Sequence, residues 1–108
     1  MFVSTTFHRG QFAPLRGSRE RRRKYLCLSP QRPPGAGPGP HRHPYDEVQF
    51  VREGRGLWTV NGEEFEAGAG DILVIKAGEI HGFRCIGDAP LVQVDVHLGP
   101  RFIQENLT

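Results

Sequence analysis

The chain has little of what several functional classes require. Its 108 residues include only two cysteines, Cys27 and Cys85, and neither sits in a CxxC pair, so there is no disulfide framework. Both are flanked by apolar residues and are expected as small buried thiols. No apolar run approaches the roughly 20 residues that span a bilayer. The N-terminus lacks the apolar stretch of a secretory signal. A cytoplasmic protein with no membrane partner is the expectation. No segment has the periodicity of a long helix, and no internal repeat is present.

Turn residues, by contrast, are plentiful. Gly 14 and Pro 9 supply about a fifth of the chain, which suits short strands and turns. The length gives room for one domain with one core. The formal charge of +2 is unevenly spread. Of 14 basic and 12 acidic residues, the run Arg16 to Lys24 holds six and one, which leaves eight against eleven elsewhere. The basic character therefore belongs to a segment, read as a solvated arm or as a piece packed on a partner subunit. Nucleic acid is not an expected partner.

Two regions follow: an N-terminal arm over residues 1–32 with possible edge strands, and a barrel over residues 33–108. In the arm, Lys24–Leu28 is the better strand candidate. Pro33 to Pro40 (PPGAGPGP) has too few donors and too much backbone freedom for regular structure and leads straight into His41. From Glu47 on, strands alternate with turns about every ten residues, the pattern of an all-β sandwich or barrel. The strands are expected at Glu47–Val51, Leu57–Val60, Glu64–Glu66, Ile72–Ile75, Ile80–Ile86 and Leu91–Leu98. Asn61-Gly62 is a two-residue hairpin signal. The tail RFIQENLT fits a single helical turn or a short edge segment.

The chemistry-bearing residues cluster. In extended backbone His41 and His43 point the same way, and Glu47 shares their parity. Pro44 holds His43 extended. His-x-His-x-x-x-Glu thus aims two imidazoles and a carboxylate at one point, and His81 can add a third imidazole from across the barrel. Imidazole nitrogen and carboxylate oxygen suit borderline divalent metals. Tyr45 has the parity of His43 and Glu47. Phe83 and Cys85 have that of His81, and face either the cavity or the core. On the last strand Val92, Val94 and Val96 form one face, and Gln93, Asp95 and His97 the other. Solvent is expected over the polar face; if it lines a pocket instead, Gln93 joins Tyr45, Phe83 and Cys85 there. Trp58 is expected in the core or on a dimer surface.

The stretch Gly35 to Gly54 (GAGPGPHRHPYDEVQFVREG) resembles the first motif of the cupin family, G-x5-H-x-H-x3-E-x6-G, at every specified position. After a 15-residue spacer, Gly70 to Cys85 (GDILVIKAGEIHGFRC) is similar to the second, G-x5-P-x-G-x2-H-x3-N, with Lys76 for proline and Cys85 for asparagine. Neither departure falls on a ligand position; they bear on turn rigidity and local barrel shape. The resemblance implies a double-stranded β-helix (jelly-roll) barrel, commonly a homodimer. It also implies one divalent metal ion (iron, manganese, nickel or zinc) on His41, His43, Glu47 and His81. Four protein ligands leave up to two positions open on an octahedral ion, as a reactive site needs. The expected function is a small metal-dependent enzyme, a dioxygenase or isomerase, acting on an oxygen-rich small molecule. The alternative is a non-catalytic module that binds or senses a sugar or carboxylate.

Overall fold

The computed structural model describes residues 2–4 and 25–107. The basic run Arg16–Lys24 lies outside the described residues. All regular structure among those described is strand: β1 Phe2–Ser4, β2 Leu26–Leu28, β3 Gln31–Arg32, β4 His41–Arg42, β5 Glu47–Glu53, β6 Arg55–Val60, β7 Glu63–Gly68, β8 Ile72–Ile75, β9 His81–Ile86, β10 Leu91–His97 and β11 Glu105–Asn106. They form two antiparallel sheets. One runs β1-β8-β5-β10-β2, with β3 also on β10; the other runs β11-β4-β9-β6-β7. No described helix is long and apolar enough to cross a membrane.

The turns behave as their residues dictate. Asn61 and Gly62 have φ of 50° and 86°, the left-handed pair of a type I′ hairpin, and they join β6 to β7. The glycine-rich loop before β4 runs along β9. Gly35 N–H donates to Cys85 O, Cys85 N–H to Ala36 O and Phe83 N–H to Pro38 O. Contact there is so close that a Cβ on Gly37 would lie 1.9 Å from the Phe83 carbonyl oxygen. The tail takes the edge-segment option: β11 pairs with β4, Glu105 opposite Arg42 and Asn106 opposite His41.

Both sheets feed one interior, and it is divided in two. At one end Val51, Trp58, Ala67, Leu73, Phe83, Cys85 and Leu91 form the apolar core, with Phe65 packed against it. Trp58 is fully buried and stacks between Phe83 at 5.1 Å and Phe65 at 6.3 Å. At the other end the buried side chains are polar: His41, His43, Glu47, Gln49, His81, Asp95 and His97.

Two expectations need correction. On β10 the polar face is the buried one. Gln93, Asp95 and His97 are 0%, 6% and 3% exposed, while Val92, Val94 and Val96 are half-buried. Register explains this: His97 sits opposite Glu47 and Asp95 opposite Gln49, so the β10 polar residues share the interior face of β5. Cys27, expected buried, is exposed. It pairs with Val96 and so lies on the outer face, whereas Leu28 pairs with Asp95 and looks inward. β2 and β3 are hydrogen-bonded to β10, so the end of the arm completes the first sheet.

Candidate metal centre

The polar half of the interior is assembled from strands that pairing brings together. His41 on β4 faces His81 on β9 in direct register, in the second sheet. His81 therefore arrives from the neighbouring strand, and it is Glu47, from β5 of the first sheet, that reaches across the barrel. Ring centroids lie 4.2 Å apart for His41–His81, 5.0 Å for His41–His43 and 5.2 Å for His43–His81. One ligand atom from each of these three histidines lies within 4.8 Å of the others, and the same holds for His43, Glu47 and His97.

The hydrogen bonds behind the rings set which nitrogen faces inward. His41 Nδ1–H donates to Gly39 O at 2.8 Å, His43 Nδ1–H to Ile103 O at 2.7 Å and His81 Nδ1–H to Glu79 O at 2.9 Å. Carbonyls only accept, so all three rings carry their proton on Nδ1 and turn the Nε2 lone pair inward. Glu47 Oε1 lies 3.3 Å from Nε2 of both His43 and His81. His43 Nε2 is buried and makes no hydrogen bond. Buried lone pairs facing a carboxylate oxygen repel unless a cation stands between them, so this donor set fits a divalent metal.

The second oxygen of Glu47 is held from behind. Gln49 Nε2–H donates to Oε2 at 2.9 Å, and Trp58 Nε1–H fixes Gln49 through its Oε1 at 2.8 Å. His97 Nε2 is 3.3 Å from the same Oε2. Ile103 N–H donates to the Tyr45 oxygen at 3.1 Å, and the Tyr45 hydroxyl reaches His97 Nδ1 at 2.8 Å, nearer than Ile103 O at 3.2 Å. Ile103, Tyr45, His97 and Glu47 are thus linked in one run of contacts. Ionisation follows this geometry. Burial opposes charge on Glu47, but its close approach to His43, His81 and His97 and the hydrogen bond from Gln49 outweigh it and hold the carboxyl well below its usual range. Burial lowers His43, yet its contact with Glu47 and the Ile103 carbonyl raise it overall. Burial leads in lowering His41 and in raising Tyr45. Asp95 is pushed up to about 7, by burial first and by the Glu47 charge next.

A cavity of about 200 Å³ opens onto this cluster, walled by His41, His43, Glu47, Asp95 and His97, with Phe83 and Phe102 as its aromatic lining and Arg32 on its rim. Of the residues expected in a pocket, Phe83 lines it. Tyr45 stands behind, stacked on His43 at 5.2 Å. Cys85 lies in the apolar core, its thiol on Ala89 O at 3.2 Å. Gln93 is buried with its Nε2 on Asp95 Oδ1 at 2.7 Å. The sequence reading missed His97 as part of the site; its parity with Asp95 and Gln93 was the available signal. A larger groove of about 420 Å³ between the glycine-rich loop and the β6–β9 pair takes only His81 from the cluster.

Comparison with known proteins agrees with this geometry. Oxalate decarboxylase from Bacillus subtilis is similar at a TM-score of 0.72 and 26% identity, over 78% of this chain and 24% of that one. A second structure of that enzyme, whose Mn(II) centres are characterised, gives 0.71 and 27% over the same shares. An uncharacterised protein with a double-stranded β-helix domain from Klebsiella pneumoniae gives 0.72 and 25%, over 77% of this chain and 70% of that one. An uncharacterised protein of Methanocaldococcus jannaschii is 38% identical over 52 residues, or 47% of this chain and 42% of that protein. The match thus spans less than half of that relative and about a quarter of the decarboxylase. Residues 31–97 match the cupin domain family, and the chain belongs to it.

Proposed function

We propose that His41, His43, Glu47 and His81 hold one divalent transition metal ion, and that the protein is a small metal-dependent enzyme of dioxygenase or isomerase type. Its substrate is an oxygen-rich small molecule. The observation that carries this reading is the set of Nδ1–H bonds to Gly39, Ile103 and Glu79, which turns three Nε2 lone pairs toward Glu47 Oε1. Mn(II) centres in a related cupin support it. A bound metal supplies Lewis acidity and a template for an oxygen ligand. The chain supplies the rest. Gln49 and His97 fix the carboxylate, Phe83 and Phe102 add apolar wall to the cavity, and Asp95 places a carboxyl group on it. We place the protein in the cytoplasm and, as the family resemblance implies, as a homodimer.

Elemental analysis of protein purified without a chelating column, beside His81→Ala, tests the site. About one equivalent of iron, manganese, nickel or zinc, lost in the variant, is expected. Full occupancy in His81→Ala, or no uptake by the wild type after reloading, overturns the ligand set. Loaded protein then goes to oxygen-uptake and isomerase assays on diols, keto acids and sugars. Binding without turnover selects the sensor or binding-module reading instead.

A further inference from the structure

The cavity carries one group that the metal cluster does not use. Arg32 is the second residue of β3, paired with Leu91 and therefore on the interior side of β10. Its backbone is tightly placed. Pro33 follows it and restricts it to extended conformations, and Pro30 O accepts from Gln93 N at 3.2 Å. Arg32 lines the cavity, and its guanidinium Nε is buried without a hydrogen-bond partner. A guanidinium stays charged at every physiological pH, so a buried orphan N–H on it is costly and leaves that donor free for a ligand.

Charge and size narrow the occupant. With a divalent ion in place, Glu47 leaves one positive charge on that wall; Arg32 adds a second, and Asp95 offsets at most one. The cavity so loaded favours an anion. Its 200 Å³ equals the liquid share of about seven waters, which admits roughly seven non-hydrogen atoms. Phe83 and Phe102 add apolar surface to the same wall.

We propose that Arg32 is the anion-recognition residue of this cavity and that its ligand is a small carboxylate bearing a second oxygen function. The guanidinium takes the carboxylate, and the other oxygen lies toward the histidine cluster. The second contact rests on the metal-site reading above, and the first rests on Arg32 alone.

Calorimetric titration of lactate, and of propane-1,2-diol as its uncharged counterpart, into metal-loaded and chelator-stripped protein tests this, with metal content measured in each sample. Loaded wild type is expected to bind lactate at least ~10-fold more tightly than the diol. Arg32→Gln is expected to weaken lactate by about 10- to 100-fold with metal content and diol affinity unchanged. Equal affinity for lactate and diol, or unchanged lactate affinity in a fully loaded Arg32→Gln, overturns the proposal. Should that variant not fold, Arg32→Lys decides. It keeps the charge but loses the fork, and undiminished lactate affinity there refutes guanidinium recognition. Lactate binding that needs Arg32 in a protein taking up no metal supports this inference and refutes the metal reading.

Discussion

Replacing Asp95 with asparagine should stabilise the metal-free protein at alkaline pH and change little in acid. The carboxyl is 6% exposed, and burial first, then the charge of Glu47, raise it from 3.8 to about 7 against the Gln93 hydrogen bond and the charges of His97 and Arg32. In the unfolded chain the group returns to its ordinary value. Between 3.8 and about 7 the folded state keeps a proton that the unfolded state has released, so stability falls as pH rises through that window. About three pK units bound the full penalty at about 4 kcal/mol, reached above pH 7. Roughly two of those units lie between pH 5 and pH 7, which is ~2–3 kcal/mol of pH-dependent difference. Asparagine retains the Oδ1 that accepts from Gln93 Nε2 at 2.7 Å, so the substitution isolates the charge. Urea unfolding of both proteins at pH 5, 6, 7 and 8, followed by the fluorescence of the lone tryptophan, reads the effect. The stability advantage of the variant should widen by about 2 kcal/mol across that series and level off above pH 7. An advantage that does not change with pH, or a variant less stable at pH 8, refutes the argument and means that Asp95 is ionised and well paired in the fold.

Four other outcomes follow from the same structure. Trp58→Phe removes the donor to Gln49 Oε1 and leaves that buried acceptor unpaired, at a cost of about 2 kcal/mol. The thermal midpoint by circular dichroism should drop by about 10 °C, and an unchanged midpoint refutes the role of that bond. His43→Ala should lose most of its metal while its far-ultraviolet spectrum stays that of a β protein; full occupancy counts against the site. Because Glu47 raises His43, protons compete with metal at that ring from above its ordinary 6.5. Metal content after dialysis should therefore fall as pH drops through about 6, and unchanged content at pH 4.5 refutes the ligand set. Gly37→Ala places a Cβ 1.9 Å from Phe83 O and should cost at least about 2 kcal/mol in urea unfolding; a neutral variant means the loop is free to lift off β9.

What was legible in the sequence had local causes. Asn61-Gly62 dictates its hairpin whatever surrounds it, and β8 was read at its full extent because ILVI is bounded by turn residues on both sides. His41, His43 and Glu47 lie within seven residues at one parity, so extended backbone alone aims them together. β10 failed because the rule that valines face inward assumes an apolar interior. Here half of the interior is polar, and the alternation Leu91, Gln93, Asp95, His97 is the buried one. Leu91 shares that parity and is fully buried, and it was the residue that contradicted an outward polar face.

The walls of the cavity were beyond sequence spacing for a different reason. Leu28 and Arg32 come from the N-terminal side of the barrel, and Phe102 and Gln104 from the C-terminal tail, some seventy residues away. Only pairing brings them to one place: β2 and β3 lie along β10, and β11 lies along β4. The tail does more than cover the site. Ile103 O holds His43 Nδ1–H, and Ile103 N–H begins the chain through Tyr45 and His97 to Glu47. A backbone carbonyl and amide have no side-chain signature, so any residue but proline at position 103 could make these bonds. The motif names the candidate metal ligands, but the backbone of a segment outside it sets the tautomer of His43 and anchors the contacts that reach Glu47 through Tyr45 and His97.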